Sequence, residues 1–392
     1  MSQNPPVTLA TWRTPGVIAA AFRTVPDFIP TARIAAAPAA PSDLPEGPLA
    51  EFGAFDVALA PDRHFDLPAL LAATATDAFL VLQHGRIVDE SYGNGLDAKT
   101  PHILMSMSKA VTGLVASLLG EAGALDLGTP VAAILPEIAD TSWRGATLRH
   151  LLDMRAGAAL DAATLAAYAA ATGWEALPAG APPADLARFF AGMAQVPGAH
   201  GGVFKYDSAN TDLLGLALER ATGRSYAELV SELLWQPIGA AHDAFVTVDG
   251  RGAARCSGGV SATARDVARL GQFVLDGGRR GARQAVPARV IDDLWSGGDR
   301  DAWRAGQFGA SFGAMGLGTT RYRNGWYIVD GPPRLLFAMG IHGQNLFVVP
   351  DHGLVIVKLS SLVTPIDPPA IMLAHRAVTE VARLLSAATP AL

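Results

Sequence analysis

The chain is short of thiols, of lysine and of charge. Among its 392 residues there is one cysteine, Cys256. One cysteine cannot close an internal disulfide, and it rules out a multi-thiolate metal site. A lone thiol mostly behaves as a small hydrophobe. Charged residues make up 17% of the chain and the net charge is −6. No basic block interleaves with aromatics, which argues against nucleic acid as a partner. No run reaches the ~18 apolar residues of a membrane span. The opening "MSQNPPVTLATW" has neither a basic n-region nor an apolar h-region. No secretory signal is therefore expected, and the expected location is cytoplasmic. H-E-x-x-H is absent and the nine histidines are scattered. "GAMGLG" has the wrong glycine spacing for a dinucleotide loop. No metal and no cofactor are expected.

What the chain has is apolar mass, at 50% of residues. That suits one or two sizeable cores and is wrong for a disordered chain. The segment 33–50, "RIAAAPAAPSDLPEGPLA", is rich in Pro and Ala and reads as a connector after an N-terminal arm. "AFLVLQHGRIVDESYG" (78–93) reads as two strands around a His84-Gly85 turn. "NLFVVP" and "LVIVKLSS" flank a second turn at Asp351-His352-Gly353. Between them the periodicity turns helical. Stretches 147–157, 210–223 and 225–239 each carry apolar residues at helical spacing and end in glycine. Further helices are expected over 261–278 and 369–388. Strands at both ends and helices between predict an α/β (α+β) fold, an antiparallel sheet with flanking helices and a mainly helical insertion. The expected divisions are an arm over 1–50, a sheet domain from 51–103 and 255–392, and a helical domain over 104–254, with the active site between the two.

Lysine is the most selective shortage. Of 30 Lys plus Arg, four are lysines, so 26 are arginines. One of the four, Lys109, sits inside the apolar stretch "ILMSMSKAVTGLVASLLG". Ser106 lies three residues before it, on the same helical face. The apolar stripe from Met107 to Leu118 points elsewhere, and Gly113 leaves room near the Ser/Lys face for another backbone or a substrate. S-x-x-K is the arrangement of serine acyl-enzymes. A serine hydroxyl is a weak nucleophile until a base takes its proton. Lysine can do this where its surroundings hold it neutral; arginine in practice cannot. Ser108 is adjacent to Lys109 and faces elsewhere, so Ser106 is the candidate nucleophile. Tyr206, ahead of a helix in "FKYDSANTDLLGLALERATG", is a candidate proton relay. Glycines 340 and 343 in "LLFAMGIHGQNLFVVP" permit close backbone approach. They could aim the Ile341 N–H, with the Ser106 N–H, at a carbonyl oxygen.

These motifs resemble the serine hydrolase family of class C β-lactamases, DD-peptidases and related esterases. Within it the chain is most similar to the branch of 6-aminohexanoate-dimer (nylon-oligomer) hydrolases and carboxylesterases. Ser106-Met107-Ser108-Lys109 matches the first motif, Tyr206-Asp207-Ser208 the second, and Ala338-Met339-Gly340 occupies the place of K-T-G. The resemblance covers nearly the whole chain. It implies hydrolysis of an ester or linear amide through an acyl-enzyme on Ser106, and homodimers are common in the family. Ala338 stands where β-lactamases and DD-peptidases have a cation that anchors the substrate carboxylate, which argues against β-lactams and peptidoglycan stems. Ser208 stands where many relatives have asparagine, and Asn210 could supply that amide. Tyr168 or Asp161 could replace the loop residues that contact the amine end in nylon-oligomer enzymes. The Ala-rich stretch 158–182 suggests an apolar lid.

Trp326 and His342 are further candidate substrate contacts. Gly309-Ala310-Ser311-Phe312-Gly313 matches G-x-S-x-G literally, with Asp330 and His342 following in order. Its flanks lack the strand and helix that a nucleophile elbow needs. Two other functions fit the same scaffold. One is a slowly acylating sensor or binding module; the other is acyl transfer to an alcohol or amine.

Overall fold

The computed structural model describes residues 5–36, 40–158, 160–177, 180, 184–194 and 199–387. Its centre is a seven-stranded antiparallel sheet. The order is Thr320–Arg323, Trp326–Val329, Leu335–Gly340, Gln344–Val349, Leu354–Ser360, Thr76–Gln83, Arg86–Tyr92. Both ends of the chain build it, as the strand pattern predicts. Both turns also sit where expected: His84 and Gly85 have φ of 49° and 75°, and Gly353 has φ 59°. Leu354–Ser360 is buried along its whole length. A strand covered on both faces reads as a continuous apolar run, which explains "LVIVKLS".

Two helices supply the cover. Ala264–Leu275 packs on one face, where a Cβ at Gly271 would lie 2.5 Å from Val355 Cγ1. Thr263 caps that helix by accepting from the Asp266 N–H at 3.1 Å. Pro368–Ala387 buries Leu373, Ala377, Val378 and Val381 against the aromatic face with Phe337 and Phe347.

A second, four-stranded sheet runs Thr31–Ile34, Ala244–Thr247, Val260–Ala262, His102–Ile103. The N-terminal arm therefore does more than connect. It adds an edge strand, and Trp12, Phe22 and Ile29 bury a cluster with Ile103 and Met105. The last strand of this sheet leads straight into Ser106.

Ser108–Glu121 is the central helix, with every residue from Ser108 to Leu119 buried. It is not the one-sided amphipathic helix expected, because elements cover it all round. At Gly113 a Cβ would meet the Asn324 carbonyl oxygen at 1.8 Å. The visitor that glycine admits is another backbone, not a substrate. Ser208–Thr222 ends on Gly223 in the left-handed conformation, as the glycine cap predicts. The helix expected over 147–157 is only Leu148–Leu152. It stops because the Asp153 carboxylate turns to Arg323 Nη1 at 2.7 Å and Met154 takes φ 54°. Tyr226–Val230 passes into a π turn, Ser231–Trp235. Cys256 is buried, and a Cβ at Gly215 would lie 2.2 Å from its sulfur. Burial pushes its thiol up, consistent with a packing role. Among the described residues no helix is long and apolar enough to cross a membrane.

Candidate active site

Ser106 sits in a 3₁₀ turn, Met105–Met107, between the strand His102–Ile103 and the central helix. Met105 has φ 49°, an uncommon conformation for a side-chain-bearing residue. Gly340, at the end of Leu335–Gly340, lies against this turn. A Cβ there would come 2.6 Å from the Leu104 oxygen and 3.0 Å from the Ser106 nitrogen. Glycine is what lets the strand end beside the Ser106 N–H, and Ile341 follows it directly.

Lys109 is 2% exposed. Its Nζ lies 3.0 Å from Ser106 Oγ, 3.1 Å from Ser208 Oγ and 2.7 Å from the Ser257 carbonyl oxygen. It also sits 4.9 Å from the centre of the Tyr206 ring. The Ser257 carbonyl only accepts, so Lys109 donates there. The two hydroxyls can donate or accept. Lys109 can thus be satisfied either as an ammonium or as an amine that accepts the Ser106 proton.

Asp212 fixes the Ser257 carbonyl. It accepts from Ser257 N at 2.7 Å and Ser257 Oγ at 3.0 Å, and Arg255 approaches at 3.7 Å. The Tyr168 hydroxyl also donates to it. Burial and the Asp212 charge hold the Tyr168 phenol well above its ordinary range. Ser257 and Asp212 escaped sequence reasoning. Asp212 left a signal, an acid directly ahead of the apolar run "LLGLAL", four residues after Ser208.

Ser106, Tyr206 and Ile341 share one cavity of about 380 Å³. Its walls are mostly apolar, with Phe308, Phe312 and Tyr327 among them. A larger cleft of about 750 Å³ lies elsewhere, beside Arg269 and Arg280.

The four expected substrate contacts are not on the walls of this cavity. Tyr168 is buried behind Lys109, on Asp212. Asn210 accepts from Trp143 Nε1 at 2.8 Å in the core. Ser208 and Asn210 are two positions apart, about 200° around a helix, so only Ser208 faces Lys109. Trp326 points to the opposite face of its strand, and its neighbour Tyr327 lines the cavity instead. His342 Nδ1 donates to the Leu362 oxygen at 2.6 Å, and its ring meets Phe22 edge-on at 5.2 Å. Burial lowers its pKa, so it stays neutral and holds a loop. Asp161 caps the exposed start of Ala162–Ala171. Part of the expected lid, 159, 178–179 and 181–182, lies outside the described residues. Ser108 Oγ accepts from Val260 N at 3.1 Å.

The G-x-S-x-G reading fails on geometry. Ser311 lies within the short helix Gly309–Ala314, with its hydroxyl on the Phe308 oxygen at 3.0 Å. Asp330 is bound by Arg300 and Arg321, not by His342. Among the described residues no group of three or more His, Cys, Asp or Glu could hold a metal ion.

A buried lysine on a serine hydroxyl, between an antiparallel sheet and a helical region, is the build of the beta-lactamase family. The profile of that family, "Beta-lactamase", matches residues 69–380. The chain belongs to it, and is a serine hydrolase of that family. It is 33% identical over 365 residues to the 6-aminohexanoate-dimer hydrolase of Paenarthrobacter ureafaciens, covering 91% of this chain and 89% of the relative. A Bacillus anthracis structure provisionally assigned as a 6-aminohexanoate-dimer hydrolase superposes with a TM-score of 0.86, at 24% identity and 99% coverage of both chains. A family VIII carboxylesterase shares the fold with a TM-score of 0.57, at 17% identity, over 79% of this chain and 95% of that one.

Proposed function

We propose that Ser106 forms the acyl-enzyme and that Lys109 is its base. The observation that carries this is the 3.0 Å contact from Lys109 Nζ to Ser106 Oγ at the wall of an apolar cavity. Ser106 Oγ attacks the carbonyl of an ester or linear amide. Lys109 takes the hydroxyl proton, and Tyr206, packed on the lysine, passes it to the leaving oxygen or nitrogen. The Ser106 and Ile341 N–H groups hold the oxyanion, and water then releases the acyl group. The apolar walls suit short aliphatic chains. Esters are the easier substrates, because an alcohol leaves with less help than an amine. Likeness to the nylon-oligomer hydrolase makes linear amides the harder class to test.

Hydrolysis of p-nitrophenyl acetate and butyrate by wild type, Ser106→Ala and Lys109→Arg tests the assignment, with intact mass followed for an acyl adduct. Both variants should lose about 10³-fold or more in kcat/KM, and only wild type should show the adduct. Activity retained in Ser106→Ala would sink the nucleophile assignment. A burst with no steady turnover would favour a sensor over an enzyme.

A further inference from the structure

The residues that would hold an oxyanion are buttressed from behind by the N-terminal arm. Met105 directly precedes Ser106, and His342 directly follows Ile341. Both take the left-handed conformation, with φ of 49° and 64°. A side-chain-bearing residue stays there only where its surroundings over-determine it. Around Met105 and Ile341 those surroundings include the arm. Both pack into the cluster that Trp12, Phe22 and Ile29 build.

The two turns meet on one ring. Phe22 ends the arm's short helix, Ile18–Phe22, and is fully buried. Its ring stands edge-on to His102 at 5.7 Å and to His342 at 5.2 Å. His102 opens the strand that leads into the Ser106 turn. Each histidine is also tied elsewhere. His102 Nε2 lies 3.1 Å from Asp77 Oδ2, and His342 Nδ1 donates to the Leu362 oxygen at 2.6 Å. Neither ring can swing away from Phe22 without giving up a buried hydrogen bond. Trp12 meets Phe22 at 5.9 Å and packs it within the cluster. The arm precedes residue 69, so this wedge stands outside the stretch that matches the family.

Protein interiors are close-packed, so a ring caught between two turns fixes their spacing. Spacing is what an oxyanion hole needs. Its donors must already sit about 3 Å from the oxygen when charge develops. We propose that Phe22 is a positioning residue for the oxyanion hole, wedged between His102 and His342 so that the Ser106 and Ile341 N–H groups converge on one point. The inference rests on those two groups as the oxyanion donors and deepens that reading. Without the ring, Met105 and His342 are free to relax toward ordinary φ, and each would turn the N–H beside it.

Three variants test this with p-nitrophenyl butyrate, thermal melts and butylboronic acid, an inhibitor that becomes tetrahedral on a serine hydroxyl. Phe22→Ala should lower kcat about tenfold and leave KM within about twofold, the mark of a contact made in the transition state. Its Ki for the boronic acid should rise by the same factor. Phe22→Leu keeps most of the volume and folds more readily; it should lose about threefold in both. Val25→Ala thins the same buried cluster without a ring in contact with either histidine. It should lower the melting temperature yet keep kcat and Ki near wild type. Unchanged kcat in the folded Phe22 variants would overturn the proposal. So would an equal loss in Val25→Ala, or a kcat loss with an unmoved Ki. Gly340→Ala separates the two levels. If it leaves kcat and Ki as in wild type, the oxyanion reading falls and this inference with it. If it moves both while Phe22→Ala moves neither, only this inference falls.

Discussion

Two lysines are buried in this protein to nearly the same degree, 2% and 3% exposed, yet their surroundings have little in common. Lys109 has three oxygen partners, one per N–H of an ammonium. Lys358 has one, with apolar neighbours around it. Burial alone therefore does not define what a lysine is for. The inventory of partners does. Lys109 sits among groups that can exchange protons with it, which suits a shuttle. Lys358 lacks a partner of opposite charge, so burial weighs on it uncompensated.

The difference can be broken from either side. Beyond Ser106 and Lys109 themselves, the largest effect should come from Gly340→Ala. Its Cβ would collide with the Leu104 oxygen and crowd the Ser106 nitrogen. Overpacking of this kind costs about 1–3 kcal/mol, and displacing an oxyanion donor costs about 100-fold or more in kcat. Thermal melts and ester kinetics on the same sample would separate the two. Wild-type kcat in this variant would mean that the Ser106 N–H is not an oxyanion donor.

Asp212→Asn should come next. It loosens the Ser257 carbonyl that anchors Lys109, and kcat should fall roughly tenfold, the scale of a lost buried hydrogen bond. An unchanged kcat would reduce Asp212 to a packing role. Ser208→Ala removes one of three partners and should cost less, about two- to fivefold. A loss as large as that of Lys109→Arg would promote Ser208 to the proton relay.

The effect expected of Lys358→Met is on stability. The folded-state pKa is about 7 against an ordinary 10.5. Between those values the unfolded chain holds a proton that the folded chain has lost, so stability rises with pH across that window. Below about pH 7 the full cost of the buried charge is present, on the order of 5 kcal/mol. Lys358→Met should therefore melt higher than wild type at pH 6, and the gap should close toward pH 10. A gap independent of pH would show that the lysine is not depressed.

Much of this was legible in the residues. Both hairpins carry their own turn chemistry, and Ser106-x-x-Lys109 encodes its contact in helical spacing. What was not legible depends on which way a helix or strand is turned. Asn210 and Ser208 differ by two positions and so face opposite ways. Trp326 and Tyr327 differ by one and fall on opposite sides of the sheet. His342 reads as a substrate contact until the loop at Leu362 claims its ring nitrogen. The Ser257 carbonyl carries no side-chain signature at all, since any residue has one. The edge strand Thr31–Ile34 hides in an arm whose Pro and Ala read as linker, because its partner lies some two hundred residues later.

Gln83 pairs with Leu354, 271 positions further along (354 − 83). At ribosomal speeds of about 5–20 residues per second, the strand Thr76–Gln83 waits roughly 15–50 s for that neighbour. Its apolar edge is an aggregation hazard throughout that interval. Ser106 and Lys109 leave the ribosome early; the Gly340 edge leaves late. On the proposed assignment, the nascent chain carries its nucleophile long before the Gly340 edge can steady an oxyanion, so hydrolysis waits until the sheet is closed.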